Sequence, residues 1–131
     1  MHLSTVHPRR DTRIYVKELA SIRGLIGARV GLVVADGKGD EREESKPTVL
    51  DIGPLPASRL ARALAGSWRA LRMMRYLNPR LVHFHDPELL PLALVLTLLG
   101  YRVVYDVHED VPRQVMAKYW IPAAFRWVVA R

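Results

Sequence analysis

The stretch Leu81–Asp110, LVHFHDPELLPLALVLTLLGYRVVYDVHED, reads as strand, helix, strand, and it narrows the kind of sheet this chain can build. Its two strand candidates, Leu81–His85 and Arg102–Val107, are largely apolar runs, as expected of strands covered on both faces. The helix between them is the crossover that a parallel pair requires. Both strands end in a burst of histidine and carboxylate: His83, His85, Asp86 and Glu88 at the first, then Asp106, His108, Glu109 and Asp110 at the second. In parallel α/β sheets ligands bind outside the carboxyl ends of the strands. The two endings therefore mark a candidate site.

The rest of the chain repeats the alternation. His2–Val6 is a short first strand, followed by the polar loop His7–Arg13, HPRRDTR. Asp11 or Thr12 caps a helix running to about Arg23, where Gly24 and Gly27 are expected to break it. Ala28–Ala35, ARVGLVVA, is a buried strand, Asp36–Lys46 a charged surface loop, and Thr48–Ile52 a third strand. Gly53-Pro54 and Pro56 turn the chain into a long helix, Ala57–Leu77. Its Leu60, Leu64, Trp68, Leu71 and Met74 form one apolar stripe, with Arg62, Arg69 and Arg72 opposite. Asn78-Pro79 ends it. After the fifth strand, Pro112 and Pro122 open two further helices, the second running to Arg131. The order βαββαβαβα predicts an open, Rossmann-like parallel sheet with helices on both faces.

Composition removes several function classes. There are 131 residues and no cysteine, so disulfides and zinc–thiolate sites are excluded. MHLSTVHPRR lacks the apolar core of a secretory signal. The longest apolar run, Leu89–Leu99, falls short of the roughly 20 residues that span a bilayer and contains Pro91. No GxGxxG, GxxxxGK[ST] or GxSxG is present. A net charge of +7 favours phosphate-bearing partners. Nucleic acid is not expected, because no binding motif accompanies the charge. The basic helix has two readings: a core helix with a solvated face, or, through Arg62, Trp68, Arg69 and Arg72, a surface that docks on anionic lipid.

With strands one, four and five adjacent, His7, His85, Asp86, His108 and Glu109 converge on one edge of the sheet. Each has a plain structural alternative. Asp86-Pro87-Glu88 is also a helix start, with Asp86 as N-cap. His83 suits a hydrogen-bonded core position, Asp106 a structural pair, and Glu109 the start of a helix. A metal site built on His83-x-His85-Asp86 with His108 competes with these readings. So does a non-catalytic binding module for a lipid-linked glycan or a protein.

HFHDPELLPLALVLTLLGYRVVYDVHEDVPRQV, together with VHPRRDTRIYVKE and VVADGKGDE, resembles the N-terminal domain of bacterial family 4 glycosyltransferases, retaining enzymes of GT-B architecture. The resemblance spans nearly the whole chain. It implies that residues 1–131 form the Rossmann-like acceptor-side domain, with residues 119–131 leading on toward a C-terminal donor domain that this sequence does not contain. It implies sugar transfer from a nucleotide-diphosphate sugar to a polysaccharide or lipid-linked acceptor, with retention of configuration and no bound metal or permanent cofactor. It gives His108 the position near the reacting sugar, with Asp86 beside it as a second catalytic residue. His85 and Asp86 line the acceptor side, His7 and Arg13 approach the donor phosphates or the acceptor, and Glu109 also binds substrate. It further implies a cytoplasmic protein, peripheral on the inner face of the plasma membrane, and inactive without its second domain. HPRRDTR stands where many relatives carry a glycine pair.

Overall fold

Five apolar runs pair in parallel in the computed structural model, which describes residues 1–26 and 30–107. They are β1 (His2–Leu3), β2 (Gly31–Val34), β3 (Thr48–Asp51), β4 (Leu81–Phe84) and β5 (Arg102–Tyr105). Their order across the sheet is β3-β2-β1-β4-β5. The expected parallel α/β sheet is therefore present, with strands one, four and five side by side. β1 is shorter than the sequence suggests, yet it is the central strand. His2 is in register with Leu32 on one side and His83 on the other.

The first helix begins at Asp11, as expected. The Asp11 carboxylate accepts from the backbone N–H groups of Arg13 and Ile14, both at 2.9 Å, satisfying donors that a helix start leaves open. Thr12–Leu19 winds with π-helical turns, Val16 N–H reaching Asp11 O at 3.3 Å, and continues as α1 (Ala20–Ile26). The expected break at Gly24 does not occur. An internal glycine costs a helix only about 1 kcal/mol, and this helix is anchored by the fully buried Ile14 and Leu19. These two pack with Leu32, Val34 and Val49 on one face of the sheet.

The other face carries α2 (Arg59–Leu77), a 3₁₀ turn at Pro87–Leu89, and α3 (Leu90–Leu98). Asn78 ends α2 in the left-handed conformation, φ 44°, its N–H donating to Met74 O. Beneath these helices lie Leu3, Val33, Leu50, Val82, Phe84, Met74, Leu92 and Leu96. Side chains alternate across a strand, so Leu32 and Val34 serve one core and Val33 the other.

The buried face of α2 keeps Met74 of the predicted stripe, with Leu71 partly buried against the core, but not Leu60, Leu64 or Trp68. Gly66, Ala70 and Met74 point inward, while Leu60, Leu64 and Trp68 are 71%, 65% and 62% exposed. Small residues won because the helix lies close to its neighbours. A Cβ at Gly66 would stand 3.1 Å from Leu55 Cδ1 and 3.4 Å from Thr5 Cγ2. Periodicity weighted by side-chain hydrophobicity favours Leu and Trp and overlooks a Gly/Ala contact face. Among the described residues no helix is long and apolar enough to cross a membrane.

Candidate functional site

The site is assembled where β1, β4 and β5 end. Phe84 closes β4, and the next two residues, His85 and Asp86, are 1% and 2% exposed. Asp86 occupies the N-cap position of the 3₁₀ turn, but its side chain makes no cap hydrogen bond. It turns instead to the loop after β1. Ser4 Oγ donates to it at 3.1 Å, Thr5 N–H at 2.5 Å and Thr5 Oγ1 at 3.1 Å. Ser4 Oγ in turn accepts the His7 backbone N–H at 3.0 Å. The His7 ring lies between two carboxylates, with Nε2 3.7 Å from Asp86 Oδ1 and Nδ1 3.5 Å from Asp11 Oδ2. A buried carboxylate with several donors fixes a backbone rather than meeting solvent. Asp86 sets the path of the loop that carries His7.

Arg13 reaches across the sheet edge. Its Nη1 pairs closely with Asp106 Oδ2 and lies 3.2 Å from Glu18 Oε1, and its Nη2 lies 3.4 Å from His85 Nδ1. Asp106, one residue past β5, also lies 3.2 Å from His85 Nδ1. Burial works against its charge, but Arg13 and then His85 hold the carboxyl below the usual carboxylate range. Arg13, His85 and Asp106 thus form one hydrogen-bonded unit at the switch point.

Burial, and then the neighbouring His83 and His85, push the His2 imidazole down to about 3. Burial, and then His83, push His85 down to about 4 against the opposing pull of Asp106. Burial also lowers His83. Both His2 and His85 are therefore neutral near pH 7.

A second network secures the same loop. Arg9, 7% exposed, donates to Asp36 past β2 through Nε at 2.7 Å and Nη2 at 2.5 Å, and to Glu41 through Nη1 at 2.7 Å. The Arg9 hydrogen bonds hold the carboxyls of Asp36 and Glu41 low.

The predicted residues are therefore brought together in part. His7, Arg13, His85 and Asp86 gather at one edge. His108 and Glu109 lie outside the described residues. His83 and His85 lie beside His2 and Glu18, neither of which the sequence reading singled out. Asp86, assigned with them to the metal alternative, bonds elsewhere. No sequence pattern marks these two: His2 sits in an apolar segment and Glu18 in a helix, and they meet His83 and His85 only when β1 pairs with β4 beneath that helix.

On α2 the arginines divide. Arg62 Nη2 is 3.3 Å from Glu88 Oε2, and Arg69 Nη1 donates to Ile52 O and Pro54 O at 3.2 and 2.8 Å. Both hold the fold together. Arg72 and Arg75 are exposed, as is Trp68. An apolar groove between α2 and α3 is lined by Leu64, Trp68, Leu71, Pro91, Leu92 and Val95.

The sequence profile of Glycosyltransferase Family 4 matches residues 14–131. No curated protein and no solved structure matches the chain significantly.

Proposed function

The chain belongs to glycosyltransferase family 4, and from that premise we propose that it supplies the acceptor-side domain of a retaining GT-B enzyme. In this reading a second, C-terminal domain holds most of the nucleotide-diphosphate sugar. The C1–O bond to the diphosphate breaks, and the acceptor hydroxyl forms a new C1–O bond on the same face. The acceptor proton passes to a leaving-phosphate oxygen. The acceptor is a polysaccharide or a lipid-linked glycan met at the inner surface of the plasma membrane.

The supporting observation is the convergence of the His7 loop, Arg13, His85 and Asp106 at the carboxyl edge of β1, β4 and β5, the switch point where ligands of such sheets bind. Asp86 acts here as a positioning residue for the His7 loop. His108, two residues beyond Asp106 in sequence, contacts the transferred sugar, with Glu109 beside it.

The test is acceptor-dependent release of nucleotide diphosphate from nucleotide sugars by the gene product containing this chain. His108→Ala should lower turnover about 10²- to 10³-fold, the scale for removing one group that stabilises transition-state charge, while leaving the melting temperature unchanged. Full activity in that variant would remove His108 from the site. Absence of release with every nucleotide sugar tried would remove the transferase reading.

A further inference from the structure

Three histidines and a glutamate meet on the first-helix face of the sheet. His2 comes from β1, His83 is its register partner on β4, and His85 follows two positions later on the same side. Glu18 descends from the π-helical segment above them. One ligand-type atom from each of the four lies within 4.8 Å of the others. The ring centroids are 4.6 Å apart for His2–His83 and His83–His85, and 5.3 Å for His2–His85. His2 Nδ1 is 3.0 Å from His85 Nε2, and Glu18 Oε2 is 3.8 and 3.9 Å from these two nitrogens. His83 Nε2 is buried and makes no hydrogen bond among the described residues.

We propose that His2, His83, His85 and Glu18 bind one divalent transition-metal ion of the zinc class. Zinc takes imidazole nitrogen and carboxylate oxygen at about 2.0–2.2 Å, and tetrahedral geometry then sets ligand atoms roughly 3.3 Å apart. The spacings of 3.0, 3.8 and 3.9 Å bracket that value. Three imidazoles and one carboxylate suit zinc and its neighbours better than calcium or magnesium, which prefer oxygen.

The surroundings fit as well. A metal-bound histidine commonly donates its second ring N–H to a carboxylate. Asp106 stands 3.2 Å from His85 Nδ1 in that position. Because the ionised carboxylate only accepts, His85 carries its proton on Nδ1 and turns the Nε2 lone pair toward the cluster. Without metal, His2 Nδ1–H donates to that lone pair. With metal, His2 gives up this bond and carries its proton on Nε2. The ion would tie the helix bearing Arg13 and Glu18 to β1 and β4. Its role is to fix the Arg13 side of the sheet edge, apart from the sugar-transfer step.

The full chain, untagged and stripped with a chelator, would be titrated with Co²⁺ or Zn²⁺ alone, and bound metal would be counted after gel filtration. One ion per chain is expected, with tetrahedral Co²⁺ absorption and a raised melting temperature. His83→Ala and Glu18→Gln should each weaken binding at least about 10-fold, and Asp106→Asn about 10- to 100-fold. His7→Ala should bind as tightly as the wild type. Circular dichroism checks each fold, and Glu18→Gln, at a side chain 26% exposed, serves if His83→Ala does not fold. Substoichiometric binding by the native chain overturns the site. Stoichiometric binding unchanged in a folded His83→Ala or Glu18→Gln variant overturns it equally.

Discussion

Arg9 shows how much depends on one residue in the loop after β1. It is nearly buried and bonded to Asp36 and Glu41. Hydrogen bonds to a charged group contribute about 1.5–3 kcal/mol, so Arg9→Met should cost about 2 kcal/mol at pH 7. The pH dependence follows from the two carboxyls, which Arg9 holds below their ordinary values of 3.8 and 4.5. Depressed carboxyl values stabilise the fold fully above the unfolded values, and that contribution is lost as pH falls through the lower folded ones. The gap between wild type and Arg9→Met in urea melts should therefore be full at pH 6–7 and shrink below about pH 4. An equal gap at pH 7 and pH 3 would contradict it. The sequence displayed the polar strand ends but not their pairing. Asp86 sits where a cap belongs, and only the three-dimensional approach of Ser4 and Thr5 draws its carboxylate away. His2 sits in an apolar segment, and its partners appear only once β1 lies against β4.

At the level of elements, alternation of buried strands and helices was enough to predict the parallel sheet, while the adjacency of strands one, four and five was an assumption that the sheet order β3-β2-β1-β4-β5 now bears out. The facing of α2 was legible at Met74 and in part at Leu71 but missed elsewhere, because Gly66 and Ala70 carry little hydrophobic signal while forming the contact surface. The inward and outward members of the predicted stripe separate by mutation. Met74 is fully buried, so Met74→Ala should cost about 2–5 kcal/mol. Trp68→Ala, despite its larger side chain, should change stability by less than about 1 kcal/mol. Chemical denaturation of both variants measures the difference. A larger loss at Trp68 than at Met74 would place Trp68 in the core.

For the molecule as a whole, the α2–α3 side presents apolar side chains beside cations. Trp68, Leu64, Leu94 and Leu98 are exposed, and Arg72 and Arg75 lie on the same helix as Trp68. Such a surface suits an anionic bilayer interface. Flotation should carry the chain with vesicles containing anionic lipid and leave it behind with neutral ones. Trp68→Ala should reduce the floated fraction several-fold without unfolding the protein. Equal flotation with both lipids, or none, would reject this face. The two-residue centre of the sheet has a consequence in time. β1 cannot hold itself, and its second neighbour, β4, is translated long after it. Distant pairings of this kind slow folding. Until β4 emerges, the Asp86 anchor and the histidine cluster cannot form. Pairing of β4 with β1 and assembly of the Asp86 anchor and the histidine cluster should thus coincide, late in synthesis of the sheet.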